Sequence, residues 1–275
     1  MSSRPLSSLL LLGFFLLAAP GGANERHFTY TYESAVLNPG NLEIEPWTTW
    51  RYGRERYFSR WDERLEFEYG IVENLQTSLY WNFEAVAEDV EVVDATGAVT
   101  GVERQRELAF ASVSSEWKYR LSDLVADPVG SALYLEGSLG PAEAEIEAKV
   151  ILDKRIGPWL VAANLVGEHE WVFETAGETE REIALELALG GGYFLTDWFM
   201  AGIEARNVNE LEGGTDFESS VIYAGPVLAF ARENWWTALT VMPQLFALKG
   251  ASDGRVRDLE HQEKLQVRLL LGFHL

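Results

Sequence analysis

Apolar and polar side chains alternate at period two along this chain, in segments of about ten residues. In Leu42–Tyr52, Leu42, Ile44, Trp50 and Tyr52 fall on one face, and Glu43, Glu45, Thr49 and Arg51 on the other. Trp61–Tyr69 sets Trp61, Leu65, Phe67 and Tyr69 against Asp62, Arg64, Glu66 and Glu68. Leu75–Ala85 and Val113–Leu121 repeat the pattern, the latter with Glu116, Lys118 and Arg120 on its polar face. Glu145, Glu147, Lys149 and Asp153 alternate with Ile146, Ala148, Val150 and Leu152; Glu182 and Glu186 share a face opposite Ile183, Leu185, Leu187 and Leu189. Lys264, Gln266 and Arg268 alternate with Leu265, Val267, Leu269 and Leu271 near the end. Further strands are expected near Ser131–Gly140, Trp159–Phe173, Trp198–Asn207, Val221–Ala231 and Trp235–Phe246. Alternation puts successive side chains on opposite sheet faces, so each strand has one oily and one charged side.

The connections sort by length. Ile71–Asn74, Lys154–Pro158, Leu195–Asp197 and Arg232–Asn234 are short; Ala87–Gln105, Glu174–Arg181, Val208–Ser219 and Ala247–His261 are long and polar or Gly-rich. Short turns on one side and long loops on the other are the pattern of an outer-membrane barrel, with the short turns periplasmic. The fold expected is therefore all-β, a transmembrane antiparallel up-and-down β-barrel of about 12 strands between Leu42 and Leu275. Trp159, Tyr193, Trp198 and Trp235 fall beside short turns, and Trp50, Tyr52, Tyr57, Trp171 and Phe173 nearer long loops, as two aromatic girdles would. Phe28–Val36 also reads as a strand and breaks the parity; it could pair outside the wall, sit in the lumen, or mark a missed strand. Two residues resist the pattern: Glu63 on the oily face, and Pro46 within a strand. A hairpin closing at Gly53–Arg56 would set them opposite one another with a local bulge, and Glu45 opposite Arg64.

The first residues add a compartment. Arg4 precedes an unbroken apolar run, Leu9–Ala19, followed by Pro20, Gly21, Gly22 and Ala23. This is the order of a secretory signal, and the run is too short for a membrane anchor, which needs about 20 apolar residues. The expected organisation is a signal peptide over 1–23, cleaved after Ala23, and a barrel domain over 24–275. The chain has no Cys, 43 acidic against 22 basic side chains and a formal net charge of −21. That balance excludes a nucleic-acid partner, whose phosphates need a basic face.

Candidate chemistry is sparse. The four histidines are His27, His169, His261 and His274. His261 beside Glu260 could serve a Ser-His-acid hydrolase, but no Ser stands at a recognisable spacing, and a solvated loop histidine is the plainer reading. His169 among Glu168, Glu170 and Trp171 would need further ligands to hold a metal. Gly190-Gly191-Gly192 lacks the helix of a phosphate loop and reads as a strand kink at a barrel corner. Asp89–Asp94 and Asn209–Glu218 are acidic but lack calcium-loop spacing. No catalytic residue, metal or cofactor is expected. The residues expected to line the lumen, and to form any solute or ion path, are Glu43, Glu45, Arg51, Arg60, Asp62, Arg64, Glu66, Glu68, Lys118, Arg120, Glu145, Glu147, Lys149, Glu168, Glu186 and Arg268.

The stretches NERHFTYTYE, EPWTTWRYGR, RLEFEYG and LQTSLYWNF between Asn24 and Glu84 resemble a family of uncharacterised Gram-negative outer-membrane proteins known as a domain of unknown function. The EIEAK segment at Glu145–Lys149, LVAAN at Leu160–Asn164 and the closing LLGFHL extend the likeness. More loosely, the chain is similar to the phenol-degradation meta-pathway family of outer-membrane barrels. The resemblance implies a barrel with a transport role and brings no catalytic residues. Its terminus departs from the usual aromatic last residue, with Phe273 third from last and Leu275 last. The function expected is a narrow porin-like channel or small-solute transporter in the outer membrane of a Gram-negative bacterium. Its expected partners are outer-membrane lipid and lipopolysaccharide, the barrel-assembly machinery and a small solute. The alternatives are a structural or envelope-interaction barrel with a filled lumen and, last, an outer-membrane lipid hydrolase.

Overall fold

The computed structural model describes residues 25–95, 98–173, 179–213, 216–252 and 254–275; the expected signal peptide lies outside them. Twelve antiparallel strands run β1 Leu42–Tyr52, β2 Phe58–Val72, β3 Leu75–Val93, β4 Val99–Ser122, β5 Gly130–Leu139, β6 Glu143–Ile156, β7 Trp159–Phe173, β8 Thr179–Thr196, β9 Phe199–Glu212, β10 Asp216–Arg232, β11 Trp235–Lys249 and β12 Leu265–His274. Each pairs with its sequence neighbours, and β12 closes on β1 from Glu43 opposite His274 to Tyr52 opposite Leu265. No helix forms among the described residues.

The period-two pattern explains this closure. Leu65, Leu79, Trp81, Leu135, Val150, Leu187 and Leu239 all point outward and are exposed. An apolar band of this extent belongs against hydrocarbon, where an open sheet edge would strand its backbone groups. Aromatic side chains mark both borders. Trp159 meets Tyr193 at 4.8 Å, and Phe230 meets Trp198 and Trp235 at 5.0 and 5.2 Å, at the short-turn end. Trp50 stacks on Trp61 at 5.7 Å at the other.

Several sequence expectations change. Most of Ala87–Gln105 is strand, because β3 and β4 continue as an exposed hairpin beyond the other strands. Val208–Ser219 is likewise mostly strand. Loop length does not sort perfectly: the β4–β5 connection on the short-turn side is longer than the β5–β6 connection opposite. Asp123 holds that longer connection together by accepting the backbone N–H groups of Val125 and Ala126 at 2.8 and 2.9 Å. The β1–β2 hairpin has no bulge. Pro46 faces Leu65, Glu63 faces Thr48, and Glu45 faces Glu66 rather than Arg64. The turn, which contains Gly53 with φ of 80°, takes two more residues than a hairpin closing at Gly53–Arg56, so Tyr52 faces Ser59 and the register moves by two positions. The outward Glu63 is met by the Thr48 hydroxyl, which donates at 2.6 Å. Through the glycine run β7 and β8 stay in continuous register, without a bulge.

The termini and the short turns share one end, the end that outer-membrane barrels turn to the periplasm, and it is called the periplasmic end on that rule. A single Cys at Thr100 should therefore react with an impermeant thiol reagent on intact cells, and one at Thr196 should not. The opposite labelling would overturn this orientation.

Candidate functional site

The stretch before β1 enters the barrel and fills its periplasmic half. It is not a strand of the wall: Phe28 to Val36 makes no ladder, and its backbone donors go to inward side chains instead. The N–H groups of Thr29, Tyr30 and Thr31 all donate to the Glu204 carboxylate of β9, at 3.0, 2.9 and 2.8 Å. Thr29 and Thr240 add hydroxyl donors to the same carboxylate. Tyr32 exchanges hydrogen bonds with the Asn164 side-chain amide of β7. Ser34 N–H and hydroxyl donate to Asp153 of β6, both at 2.7 Å, and Leu37 N–H donates to Gln76 Oε1 of β3 at 2.9 Å. Phe28 is fully buried among Leu160, Met200, Trp236 and Leu270. Gly190 makes room for it: a Cβ there would lie 2.9 Å from the Phe28 ring.

Tyr30 and Tyr32 form the floor of a cavity of about 420 Å³ in the outer half. Of the residues expected to line the lumen, Arg51, Arg60, Arg64, Glu145, Glu147, Lys149, Glu168, Glu186 and Arg268 surround it. Asp62 lines an adjoining space. Positive groups gather on β1, β2 and β12, and acidic ones on β6 and β7. Arg51 and Arg60 stand directly opposite one another, a repulsive placement. Asp62 accepts from both, at 2.6 and 2.5 Å, and relieves it. Lys149 pairs with Glu147 at 2.8 Å, and Arg206 with Glu186. Arg268 instead donates to the Thr49 hydroxyl at 2.7 Å and lies over the Tyr30 ring at 4.0 Å. Among the described residues Glu145, Glu168 and Glu170 form no ion pair, so the acidic wall presents unpaired carboxyl groups to the cavity.

The remaining expected residues lie elsewhere. Glu43, Glu45, Glu66, Glu68 and Lys118 are buried in the periplasmic half around the inserted segment, below the cavity. Arg120 leaves the lumen altogether: it donates to the Glu73 carbonyl at 2.8 Å and sits 3.7 Å from Asp123 at the periplasmic rim. Arg64, expected to pair with Glu45, packs over the Tyr80 and Trp47 rings, hydrogen-bonds Asn82 at 2.8 Å and reaches Glu136 at 3.8 Å. Glu45 pairs with Arg26 of the inserted segment at 3.2 Å. Sequence reasoning missed Arg26, Glu136, Asn164, Glu204 and Arg206. Glu136, Glu204 and Arg206 stand in strands whose faces were left unassigned, although alternation from Met200 along β9 would have placed the last two inside.

The long β11–β12 connection also folds inward at the outer end. Glu263 is buried and accepts from Arg54 at 2.7 Å, while its carbonyl accepts from the Tyr223 hydroxyl at 2.8 Å. The fully buried Asp258 accepts the Ser219 hydroxyl at 2.7 Å and faces His261 Nδ1 at 3.0 Å. His261 Nε2 lies 3.3 Å from Glu218. The serine of this group thus contacts the acid and not the imidazole, the reverse of what a hydrolase needs. Burial works against the His261 charge, but the Asp258 hydrogen bond and the Asp258, Glu218 and Glu260 charges raise its pKa above the ordinary 6.5. Burial likewise disfavours the Asp258 anion, yet the Ser219 hydroxyl, the His261 N–H groups and the His261 charge lower its pKa below 3.8.

A family model described as a family of unknown function, DUF6662, matches residues 21–150 and 158–275. A search of curated proteins finds no significant match. Among solved structures, the COG4313 outer membrane channel from Pseudomonas putida F1 is similar with a TM-score of 0.54 and 13% identity, over 88% of this chain and 98% of the other. The NanC porin is similar with a TM-score of 0.53 and 10% identity, over 84% of this chain and 100% of the other. At such identities the likeness concerns the fold, a closed antiparallel barrel of the outer-membrane type.

The two pKa shifts in the loop set a pH window for it. The raised His261 value contributes stability that is complete below 6.5 and lost as pH rises through the higher folded value. The lowered Asp258 value contributes stability that is complete above 3.8 and lost as pH falls through the lower folded value. Amide protection factors across Gly254–Lys264, corrected for intrinsic exchange, should therefore decline as pH is raised from about 6 to about 9. In His261→Ala this decline should vanish. Protection that is flat or rising in the wild type would count against the ion pair.

Proposed function

Because the chain belongs to DUF6662, a family of unknown function, its role has to be read from its own lumen, and we propose that it is an outer-membrane passage for small polar solutes, held shut in this conformation by its N-terminal segment. The observation that carries this reading is the inserted segment itself. It blocks the periplasmic half but joins no strand, so it can leave without breaking the wall. The cavity above it supports a solute role, since the arginine side and the glutamate side suit a small molecule carrying both charges. Six basic and eight acidic side chains line that cavity, so a modest cation preference is expected.

A second reading has its own support. The segment is held by Glu204, Asn164, Asp153 and Gln76 together, which suits a permanently filled barrel with a structural or envelope-interaction role. In either case the outward band would contact lipid and lipopolysaccharide, and the barrel-assembly machinery would insert the chain. We further propose that export removes 1–23, which would leave the new amino terminus at Asn24. N-terminal sequencing of protein recovered from outer membranes should begin at Asn24, and recovery from the soluble periplasm would sink the localisation.

Planar-bilayer recording separates the two readings. Wild type should conduct rarely and weakly, favouring cations. Glu204→Ala removes the acceptor of three buried backbone N–H groups, at a cost of about 3 kcal/mol or more to the inserted conformation. It should therefore open far more often, with Asn164→Ala smaller in effect. A large anion-selective conductance in wild type would refute the passage reading. Silence in wild type and both variants would favour the filled barrel.

A further inference from the structure

The register of the wall lays acidic side chains side by side beneath the inserted segment. Glu43 stands opposite Glu68, Glu68 opposite Ser78, and Ser78 opposite Glu116. Glu45 stands opposite Glu66 one step further along. Serine is small, so Glu68 and Glu116 converge above it from β2 and β4. One carboxylate oxygen from each of Glu66, Glu68 and Glu116 lies within 4.8 Å of the other two. These residues are 1%, 4% and 1% exposed. Both Glu116 oxygens, Glu66 Oε1 and the Ser78 hydroxyl, itself 2% exposed, have no hydrogen-bond partner among the described residues.

The nearby cations do not balance this acid. Arg26 is engaged with Glu45, and His274 with Glu43 at 2.6 Å. Arg64, next to Glu66 on the inward face of β2, is held by Asn82 at 2.8 Å and lies 3.8 Å from Glu136, and Lys149 is paired with Glu147, which leaves Lys118, at the next inward position after Glu116, to face Glu66, Glu68 and Glu116. Carboxylates out of water need a counter-charge or direct ligation. An all-oxygen set of this kind suits a hard cation, and oxygens separated by up to 4.8 Å fit opposite sides of an ion with bonds of about 2.3–2.6 Å, the calcium range.

We propose that Glu66, Glu68 and Glu116, with the Ser78 hydroxyl, bind one calcium ion that ties β2 to β4 at the root of the inserted segment. The ion neutralises the acidic row from inside the wall, and its binding does not require the lumen to conduct. No sequence spacing announces the site, because its ligands come from strands joined only through β3.

Calorimetric titration of the full mature chain in detergent, stripped with EDTA, tests this with Ca²⁺ and then Mg²⁺ as probes. Wild type should take up one Ca²⁺ per chain and bind Mg²⁺ more weakly. Glu116→Gln and Glu68→Gln should each weaken Ca²⁺ binding by about 10-fold or more. Glu103→Gln, on the exposed extension of β4, should bind as wild type does. The wild-type melting temperature should rise with Ca²⁺ and fall back with EDTA, a readout that holds even where a variant fails to fold. Absence of saturable Ca²⁺ binding by wild type would overturn the proposal. So would binding lost in Glu103→Gln but kept in Glu116→Gln, or a wild-type melting temperature indifferent to Ca²⁺ together with a higher one in Glu116→Gln, which would assign the neutralisation to protons.

Discussion

The pairing of β12 with β1 is the contact on which the rest of the molecule depends. In hydrocarbon a backbone N–H or C=O has no water to turn to, and an unpaired group costs several kcal/mol. Twelve strands can meet that demand only as a ring, because any open edge would leave a row of groups unmet. Once the ring closes, alternation sets the sides: one parity carries the outward leucines, valines and aromatics, and the other turns glutamates and arginines inward, together with the apolar side chains such as Leu160, Trp236 and Leu270 that receive Phe28. The polar lumen is a consequence of closure and not a separate design.

The same demand operates inside. Twelve strands enclose more space than wall side chains alone can fill, and the segment before β1 occupies the periplasmic half of it. That segment has no strand neighbour, so its backbone donors need acceptors from side chains. Glu204, Asn164, Asp153 and Gln76 provide them from four different strands. Glu204 carries the most: a buried carboxylate receiving three N–H groups is stabilised by them as they are by it. Gly190 contributes by absence, since the Phe28 ring occupies the place of its missing side chain. The inserted segment then defines the site above it, because Tyr30 and Tyr32 are its floor and the lumen cations stack on their rings.

Charge inside the barrel is arranged by register more than by pairing. Direct opposition sets Glu43 against Glu68, Glu45 against Glu66, and Glu136 against both Glu116 and Glu147. Arg51 against Arg60 is the basic counterpart. Where a third group intervenes, as Asp62 does for the arginines, the repulsion becomes a bridge. Where none does, acid accumulates, beneath the inserted segment and along β6 and β7. The lumen is therefore divided into a tightly packed acidic half and a partly open half with walls of opposite sign.

The strands were legible because lipid and lumen impose opposite chemistry on alternate residues, and that imprint is local. Leu42–Tyr52 and Trp159–Phe173 could be bounded to the residue for this reason. The inward parity of Glu43, Arg51, Glu147 or Arg268 followed from the same rule. Register was not legible, because it depends on how many residues a turn consumes; a shift at Gly53 moved Glu45 from Arg64 to Glu66. The reach of Ala87–Gln105 was misread for a related cause: outside the membrane the hairpin keeps its ladder while losing the apolar face that advertises it. The fate of Phe28–Val36 was left open, since an extended segment looks alike whether its donors meet a strand or the carboxylate of Glu204. Alternation is a property of neighbouring residues and survives in one dimension. The meeting of Thr29 with Glu204, or of Glu68 with Glu116 across β3, joins positions far apart in the chain, and only the closed barrel brings them together.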